Sequence, residues 1–158
     1  MIGAWVAVIV CGAAAAASAV ALATPAARPT HTVIVSPTFT PDQVAAAKKQ
    51  ACDAWERAST VMAEAGGVVA KAPRDWGDPV RREAIAAEAR IYLVEGSYLR
   101  SQIAPATPAE LTAPLHDYFV ASADMENATM QMQGHARSAA IDRANIATRQ
   151  ANSVCGLS

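Results

Sequence analysis

The 158 residues suffice for one domain of ordinary size and a short targeting segment, and they are too few for two domains. A formal net charge of −1 argues against nucleic-acid binding, because a surface that binds nucleic acid needs excess Lys and Arg to neutralise phosphates. Hydrophobic residues make up 53% of the chain and charged residues 17%, which excludes disorder along its whole length. Many of the hydrophobic residues are alanine, which favours helices but buries little area. The composition therefore predicts a small all-α protein with a thin core.

The segment Ile2–Ala23 contains no charged residue. As a helix it would be about 33 Å long, enough to cross a bilayer core of about 30 Å. We therefore expect residues 1–23 to form a transmembrane anchor in the cytoplasmic membrane, single-pass, with the C-terminal domain outside the cytoplasm. The alternative is a signal peptide, because Ala21-Leu22-Ala23 resembles a cleavage site, and cleavage near Ala23 would release a secreted protein.

Residues 24–40 are rich in proline and threonine and form the predicted linker. The pairs Thr24-Pro25, Arg28-Pro29 and Ser36-Pro37 are each biased away from the helical conformation. A segment of this kind is extended and semi-rigid, so it is expected to hold the domain away from the membrane.

Residues 41–158 contain four stretches in which apolar residues recur every three or four positions, the pattern of a helix with one buried face. Thr40-Pro41-Asp42-Gln43 is a capping box that starts the first stretch, and Gly66-Gly67 is expected to end it. A second capping box is expected at Thr107-Pro108-Ala109-Glu110. The predicted helices are 41–65, 79–103, 108–133 and 137–153, arranged as an antiparallel up-down-up-down four-helix bundle.

The fourth helix has few large apolar residues, so it needs another source of stability. Cys52 lies in the first helix and Cys155 at the end of the fourth, and these two helices are antiparallel neighbours in the predicted bundle. Counted from their shared end, the two residues lie about 20 and 27 Å along the helices, a mismatch that an unwound terminus can absorb. We therefore predict a Cys52–Cys155 disulfide, which persists outside the cytoplasm.

The sequence contains no glycine-rich phosphate loop, no metalloprotease helix motif and no nucleophile elbow. Glu88 and Glu95 lie seven residues apart, but we expect them on a solvated face or paired with Arg81 and Arg100. We therefore predict no catalytic residues, no enzymatic activity and no cofactor.

Met130, Met132 and His135 are the candidate residues for a metal site. Thioether sulfurs are soft ligands that favour Cu(I), and copper is often handled outside the cytoplasm. The competing interpretation is that Met125 and Met132, seven residues apart on the third helix, lie on its core face and fill gaps there. We favour the core interpretation and predict no metal site.

The connection between the first two helices is long and includes Arg74, Asp75 and Trp76. Long connections in bundles are often functional, and Trp and Arg are frequent anchors of protein interfaces. The three residues are thus the candidate partner-binding loop. The alternative is that Trp76 folds back onto the end of the bundle while Asp78 caps the second helix.

Three local features carry a resemblance: Ala51-Cys52-Asp53-Ala54-Trp55, the Arg-Asp-Trp loop and Val154-Cys155-Gly156. Together with the alanine-rich anchor and the Thr/Pro linker, they resemble alanine-rich exported or membrane-anchored helical proteins of mycobacteria and their relatives. The resemblance implies a cell-envelope location and no reaction. Small mycobacterial haem carriers share the helical, disulfide-bonded plan, and the side chains to test as haem ligands are Tyr92, Tyr98, Tyr118, His116 and His135.

The sequence thus predicts a non-enzymatic interaction or accessory module of the cell envelope. Its expected contacts are the cytoplasmic membrane, through residues 2–23, and an envelope protein, with no nucleic acid. The alternative is a small ligand carrier, for haem or Cu(I), outside the cytoplasm.

Overall fold

A computed structural model describes residues 38–157, which form four α-helices. These are α1 (Pro41–Lys71), α2 (Pro79–Gln102), α3 (Ala109–Met130) and α4 (Gly134–Cys155), and no β-strand occurs within the described range. The prediction of an all-α fold with four helices is confirmed. The predicted anchor at 1–23 and all but the last three residues of the predicted linker lie outside the described residues.

Among residues 38–157, no helix is both long enough and apolar enough to cross a membrane.

The four helices form two hairpins. The backbones of α1 and α2 approach closely, as do those of α3 and α4, whereas α1 approaches α4, and α2 approaches α3, at fewer points. Alanine is the commonest buried residue of the bundle, and so small a side chain permits close backbone approach. Larger side chains fill the wider space between the hairpins. Those with almost no exposure are Trp55, Met62, Leu99, Leu111 and Leu115.

The start of α1 is the predicted capping box. The backbone N–H of Gln43 donates to Thr40 Oγ1 at 3.3 Å, and the N–H of Thr40 donates to Gln43 Oε1 at 2.9 Å. Both bonds satisfy amides that lack a partner within the helix, which fixes its first residue.

The predicted end of α1 is wrong, because the helix runs through Gly66-Gly67 and ends at Lys71. Each glycine costs up to about 1 kcal/mol relative to alanine, but the extra turn buries Val69, which is only 3% exposed. The helix ends instead before Pro73. Ala72 has a ψ of 157°, the extended conformation that a residue preceding proline prefers.

The second predicted capping box is also wrong. Pro108 is the N-cap of α3, and no side chain caps this end. Glu110 instead forms a 2.9 Å ion pair with Lys48 on α1, while the Thr107 hydroxyl is buried without a partner among the described residues. A contact between distant parts of the chain has replaced the local one.

The turn between α3 and α4 lies three residues earlier in the chain than predicted and has the predicted length. Met132 has a φ of 56°, so the chain reverses there, and α4 begins at Gly134 rather than at residue 137. Helix α3 ends at Met130 rather than at residue 133, and Pro114 lies buried within it. At its far end α4 stops at the predicted Gly156, which has the left-handed φ of 69° that favours glycine.

The predicted Cys52–Cys155 disulfide is present and joins α1 to α4, with the two Cα atoms 5.5 Å apart. One turn away, Trp55 Nε1 donates a 2.8 Å hydrogen bond to Asn152 Oδ1 across the same pair of helices. The Trp55 ring also packs edge-on against Tyr118 of α3, with ring centroids 4.9 Å apart. A covalent bond and a buried tryptophan therefore fix the register of α1 and α4 at this end of the bundle.

We expect the double substitution Cys52→Ser and Cys155→Ser to lower the free energy of unfolding by about 2–4 kcal/mol, because the bond closes a long loop in the unfolded chain. Guanidinium denaturation of the oxidised proteins measures the difference. Dithiothreitol should bring the wild type to the stability of the variant and leave the variant unchanged. A wild type insensitive to dithiothreitol would contradict the role of the bond.

Candidate functional site

The loop between α1 and α2 is held by hydrogen bonds of its own acidic residues. Asp78 Oδ1 accepts from the backbone N–H groups of Val80, at 2.8 Å, and Arg81, at 3.3 Å, so it is the N-cap of α2. Asp75 Oδ1 accepts from the N–H of Gly77 at 2.9 Å, which forms a local turn. The loop therefore presents its residues in one defined conformation.

Trp76 is half-buried against the end of the bundle and does not enter the core. The Arg81 guanidinium lies over its indole ring, with the Arg81 carbon Cζ 4.8 Å from the ring centroid. Arg81 Nη1 also donates to the carbonyl oxygen of Pro73 at 3.0 Å. Arg81 thus connects the loop to α2 and fixes the tryptophan, while Arg74 and Asp75 remain exposed.

Beside the loop lies a cleft of about 710 Å³, called here the end cleft. Residues of all four helices and of the loop line it, and Arg74 and Trp76 of the predicted partner-binding loop are among them. Three arginines and one glutamate line it, so the net charge of the lining residues is positive. Its charged or aromatic residues are Arg74, Trp76, Arg81, Glu88, Tyr92, His135 and Arg137.

A buried ion pair forms part of the wall of the end cleft. Arg137 Nη2 of α4 donates to Glu88 Oε2 of α2, and the two residues are 9% and 2% exposed. Arg137 Nε donates to Thr129 Oγ1 at 3.0 Å, and the Thr129 hydroxyl donates to the Met125 carbonyl oxygen at 2.7 Å. The pair therefore connects both hairpins through α2, α3 and α4.

The expectation that Glu88 lies on a solvated face or pairs with Arg81 or Arg100 is wrong. Its place on α2, one turn after buried Ala84, puts it in phase with the core, and Arg137 occupies the same phase on α4 before Ala140. A charged residue in phase with the apolar stripe on each of two helices is the signal that reveals such a pair. Glu95 is half-buried and takes no part in it.

Burial dominates the electrostatics around Glu88. Loss of water raises the pKa of the Glu88 carboxyl, although the charge and hydrogen bond of Arg137 oppose the shift. Burial likewise raises the pKa of Glu126, with the negative charge of Glu88 adding to it. Since Arg137 donates to Glu88 Oε2, the two side chains form a buried ion pair in the wall of the end cleft.

Tyr92 separates the end cleft from a second cavity, the α2/α3 groove, which lies between α2 and α3. Desolvation raises the pKa of both Tyr92 and Tyr118 above the usual value of 10. The Tyr118 hydroxyl donates to Met62 Sδ at 3.4 Å. Both phenol groups are therefore uncharged at neutral pH.

The structure does not bring the candidate copper ligands into one cavity. Met130 lines the α2/α3 groove, whereas His135 lines the end cleft. Met125 is 3% exposed and fills the core as expected, whereas Met132 is 68% exposed and does not, and Met130 is 76% exposed. Within residues 38–157, no cluster of three or more His, Cys, Asp and Glu side chains is arranged to hold a metal ion.

The remaining candidate haem ligands are also dispersed. Arg57 lies over the ring of Tyr98, 4.2 Å from its centroid, on the α1/α2 side of the bundle. His116 is exposed on α3 beside Asp117. Tyr92 lines two cavities, and it shares the α2/α3 groove with Tyr118 and the end cleft with His135.

Removing one member of the buried ion pair should be costly. We expect Arg137→Met to lower the free energy of unfolding by about 3–5 kcal/mol, because it leaves Glu88 buried without a counter-charge. Adding Glu88→Leu should restore most of that stability. Urea denaturation measures both, and Arg143→Met, which removes an exposed ion pair with Asp124, should cost about 1 kcal/mol or less. A double variant no more stable than Arg137→Met would contradict this assignment.

Glu126 should make stability depend on pH. Its pKa is raised in the folded protein, so the stabilisation that it contributes is present below its usual value of 4.5 and is lost as pH rises through the folded value. Relative to wild type, Glu126→Gln should therefore gain stability as pH increases from about 4.5. Denaturation at several pH values measures this trend, and a difference that is constant with pH would contradict it.

No family model, no curated protein and no solved structure matches this chain. We therefore infer its function from the geometry and charges of its own cavities.

Proposed function

We propose that the chain is a non-enzymatic interaction module of the cell envelope, and that a partner protein docks at the end cleft. The observation that carries the proposal is the fixed arrangement of Trp76 and Arg81 beside exposed Arg74. Tryptophan and arginine are the residue types that contribute most often to binding energy at protein interfaces. Because Arg81 already orders the loop, little conformational entropy is lost when a partner binds.

The charge of the end cleft indicates what the partner carries. Arg74, Arg81 and Arg137 outnumber Glu88 among its lining residues, and Arg137 is already paired. Among the described residues neither Arg74 nor Arg81 forms an ion pair with a carboxylate, so both charges are available to a partner. An acidic segment of a protein fits this arrangement best. Asp75 stays a predicted contact residue, because its side chain is exposed although its Oδ1 accepts from the Gly77 amide.

The proposed location outside the cytoplasm rests on two features. The uncharged segment Ile2–Ala23 has the length and composition of a membrane anchor or of a signal peptide. The Cys52–Cys155 disulfide is of the kind that persists in oxidising compartments. Anchored or exported, the domain would meet its partner in the envelope.

A carrier for haem or Cu(I) is the second candidate function. The observation that favours it is the exposure of the Met130 and Met132 thioethers, which leaves their sulfurs accessible to a soft metal ion. Metal analysis and the absorption spectrum of the purified full-length protein test it. Copper at one equivalent or a Soret band would support a carrier, and a colourless, metal-free protein that takes up neither ligand would reject it.

Site-specific photocrosslinking tests the docking proposal. We expect a crosslinking amino acid at position 74, in the full-length chain in intact cells, to give one protein adduct of defined mass. Trp76→Ala should abolish the adduct, because loss of an interface tryptophan weakens binding by about 2 kcal/mol or more, about thirtyfold.

A crosslinker at His116, which is exposed near the opposite end of the bundle, is the matched control and should give no such adduct. Thermal unfolding of Trp76→Ala should be close to that of wild type, because the side chain does not enter the core. An adduct that persists in Trp76→Ala, or that forms equally from position 116, would overturn the proposal.

A further inference from the structure

The α2/α3 groove is a cavity of about 370 Å³ that the docking proposal does not use. It exists because α2 and α3 approach each other at few points, and because small residues line part of its walls: Ala89 and Gly96 on α2 and Ala123 on α3. Its volume lies within the range of about 300–1000 Å³ that is typical of small-molecule sites.

Most of the groove is apolar. Met62 and Tyr118 lie at its base and are almost fully buried, while Leu93 and Met130 line it and are 70% and 76% exposed. Leu93 and Met130 expose apolar surface to water beside this groove. A bound hydrocarbon chain would cover that surface, and removing apolar surface from water is favourable.

One end of the groove carries a positive charge. The Arg100 guanidinium lies over the ring of Phe119, with Cζ 4.2 Å from the ring centroid. Its Nη1 atom lies 3.7 Å from the position that a Cβ on Gly96 would occupy, so the side chain folds back along α2 toward the groove. Among the described residues no carboxylate forms an ion pair with Arg100. An anionic group at this end would therefore find an available partner.

Deeper in the groove the charge is of the opposite sign. Glu126 lines it two helical turns beyond Phe119 on α3, and its Oε1 atom is buried without a hydrogen-bond partner within residues 38–157. A second negative charge on a ligand would lie near this carboxyl and away from water, which is unfavourable. The groove is therefore suited to a molecule with one charged end.

We infer that the α2/α3 groove binds a free single-chain fatty acid anion, with its carboxylate at Arg100 and its hydrocarbon chain running toward Leu93 and Met130. The lining of α2 from Ala89 to Arg100 rises about 16 Å, a length suited to a medium-chain acid. A protein helix is about 10 Å across with its side chains, too wide to be enclosed in this volume. The inference does not rest on docking at the end cleft, and either can fail without the other.

Calorimetric titration of the full-length protein with dodecanoate, below its micelle concentration and at low salt, tests the inference. We expect saturable binding of one dodecanoate per chain. Arg100→Gln should weaken it about two- to fivefold, the loss expected for an exposed charge contact, and should not change binding of uncharged dodecanol. Dodecanedioate, which has the same length and a second carboxylate, should bind at least about tenfold more weakly.

Variants that fill the groove separate a specific site from general adsorption. Gly96→Leu should weaken dodecanoate binding at least about tenfold, because the new side chain occupies the groove. Ala123→Leu fills the groove from α3. It replaces Gly96→Leu in this test if circular dichroism shows that Gly96→Leu is unfolded. Ala139→Leu, an equivalent change at an exposed alanine of α4, is the matched control and should bind as wild type does.

Three results would overturn the inference. The first is equal binding to wild type and to a folded groove-filling variant. The second is binding of dodecylammonium as tight as that of dodecanoate, since a cation would then be the preferred occupant. The third is a dimer, seen by analytical ultracentrifugation, that Gly96→Leu dissociates, which would show that a second copy of the chain covers the groove.

Discussion

The attachment of α4 to α1 is the constraint on which the rest of the bundle depends. Cys52 and Trp55 lie one turn apart on α1, and their partners Cys155 and Asn152 lie one turn apart on α4, in the reverse order. Two links of this kind fix the register of an antiparallel helix pair. They compensate for the composition of α4, whose buried apolar residues are all alanine.

The two ends of the bundle are stabilised by different chemistry. At the disulfide end the links are the Cys52–Cys155 bond, the hydrogen bond from Trp55 to Asn152 and the packing of Trp55 against Tyr118. At the other end the main link is the ion pair between Glu88 and Arg137, which Thr129 completes. A buried ion pair contributes little net stability, but it favours one arrangement of the helices over others. This allows the helices to diverge around the end cleft without losing a defined geometry.

The features that could be predicted from the sequence are those set by neighbouring residues or by a pairing with few possible partners. The capping box at Thr40 and the stop at Gly156 involve residues within one turn, so their pattern is readable directly. The pairing of Cys52 with Cys155 followed from the order of the helices, because only two cysteines lie within residues 41–158. The four helices themselves followed from the apolar periodicity.

What could not be predicted depends on contacts between distant segments. Gly66-Gly67 stays helical because the turn beyond it buries Val69, a gain that no local propensity includes. The sequence suggested Arg81 as a partner for Glu88 or Glu95, yet it orders Trp76 by contacts that exist only in the folded chain. The α2/α3 groove arises from the spacing of two helices, which no residue specifies alone.

The position of the disulfide also sets where α4 can open. Because Cys155 is bonded to α1, fluctuations that detach α4 from α1 begin at its other end, near Gly134, where the links are the non-covalent contacts of Arg137 and the packing against α3. Amide hydrogen exchange along this helix would then slow progressively from Gly134 toward Cys155. The most easily opened part of α4 is thus the part that borders the end cleft, and a partner bound there would first slow the exchange of the fastest amides of this helix.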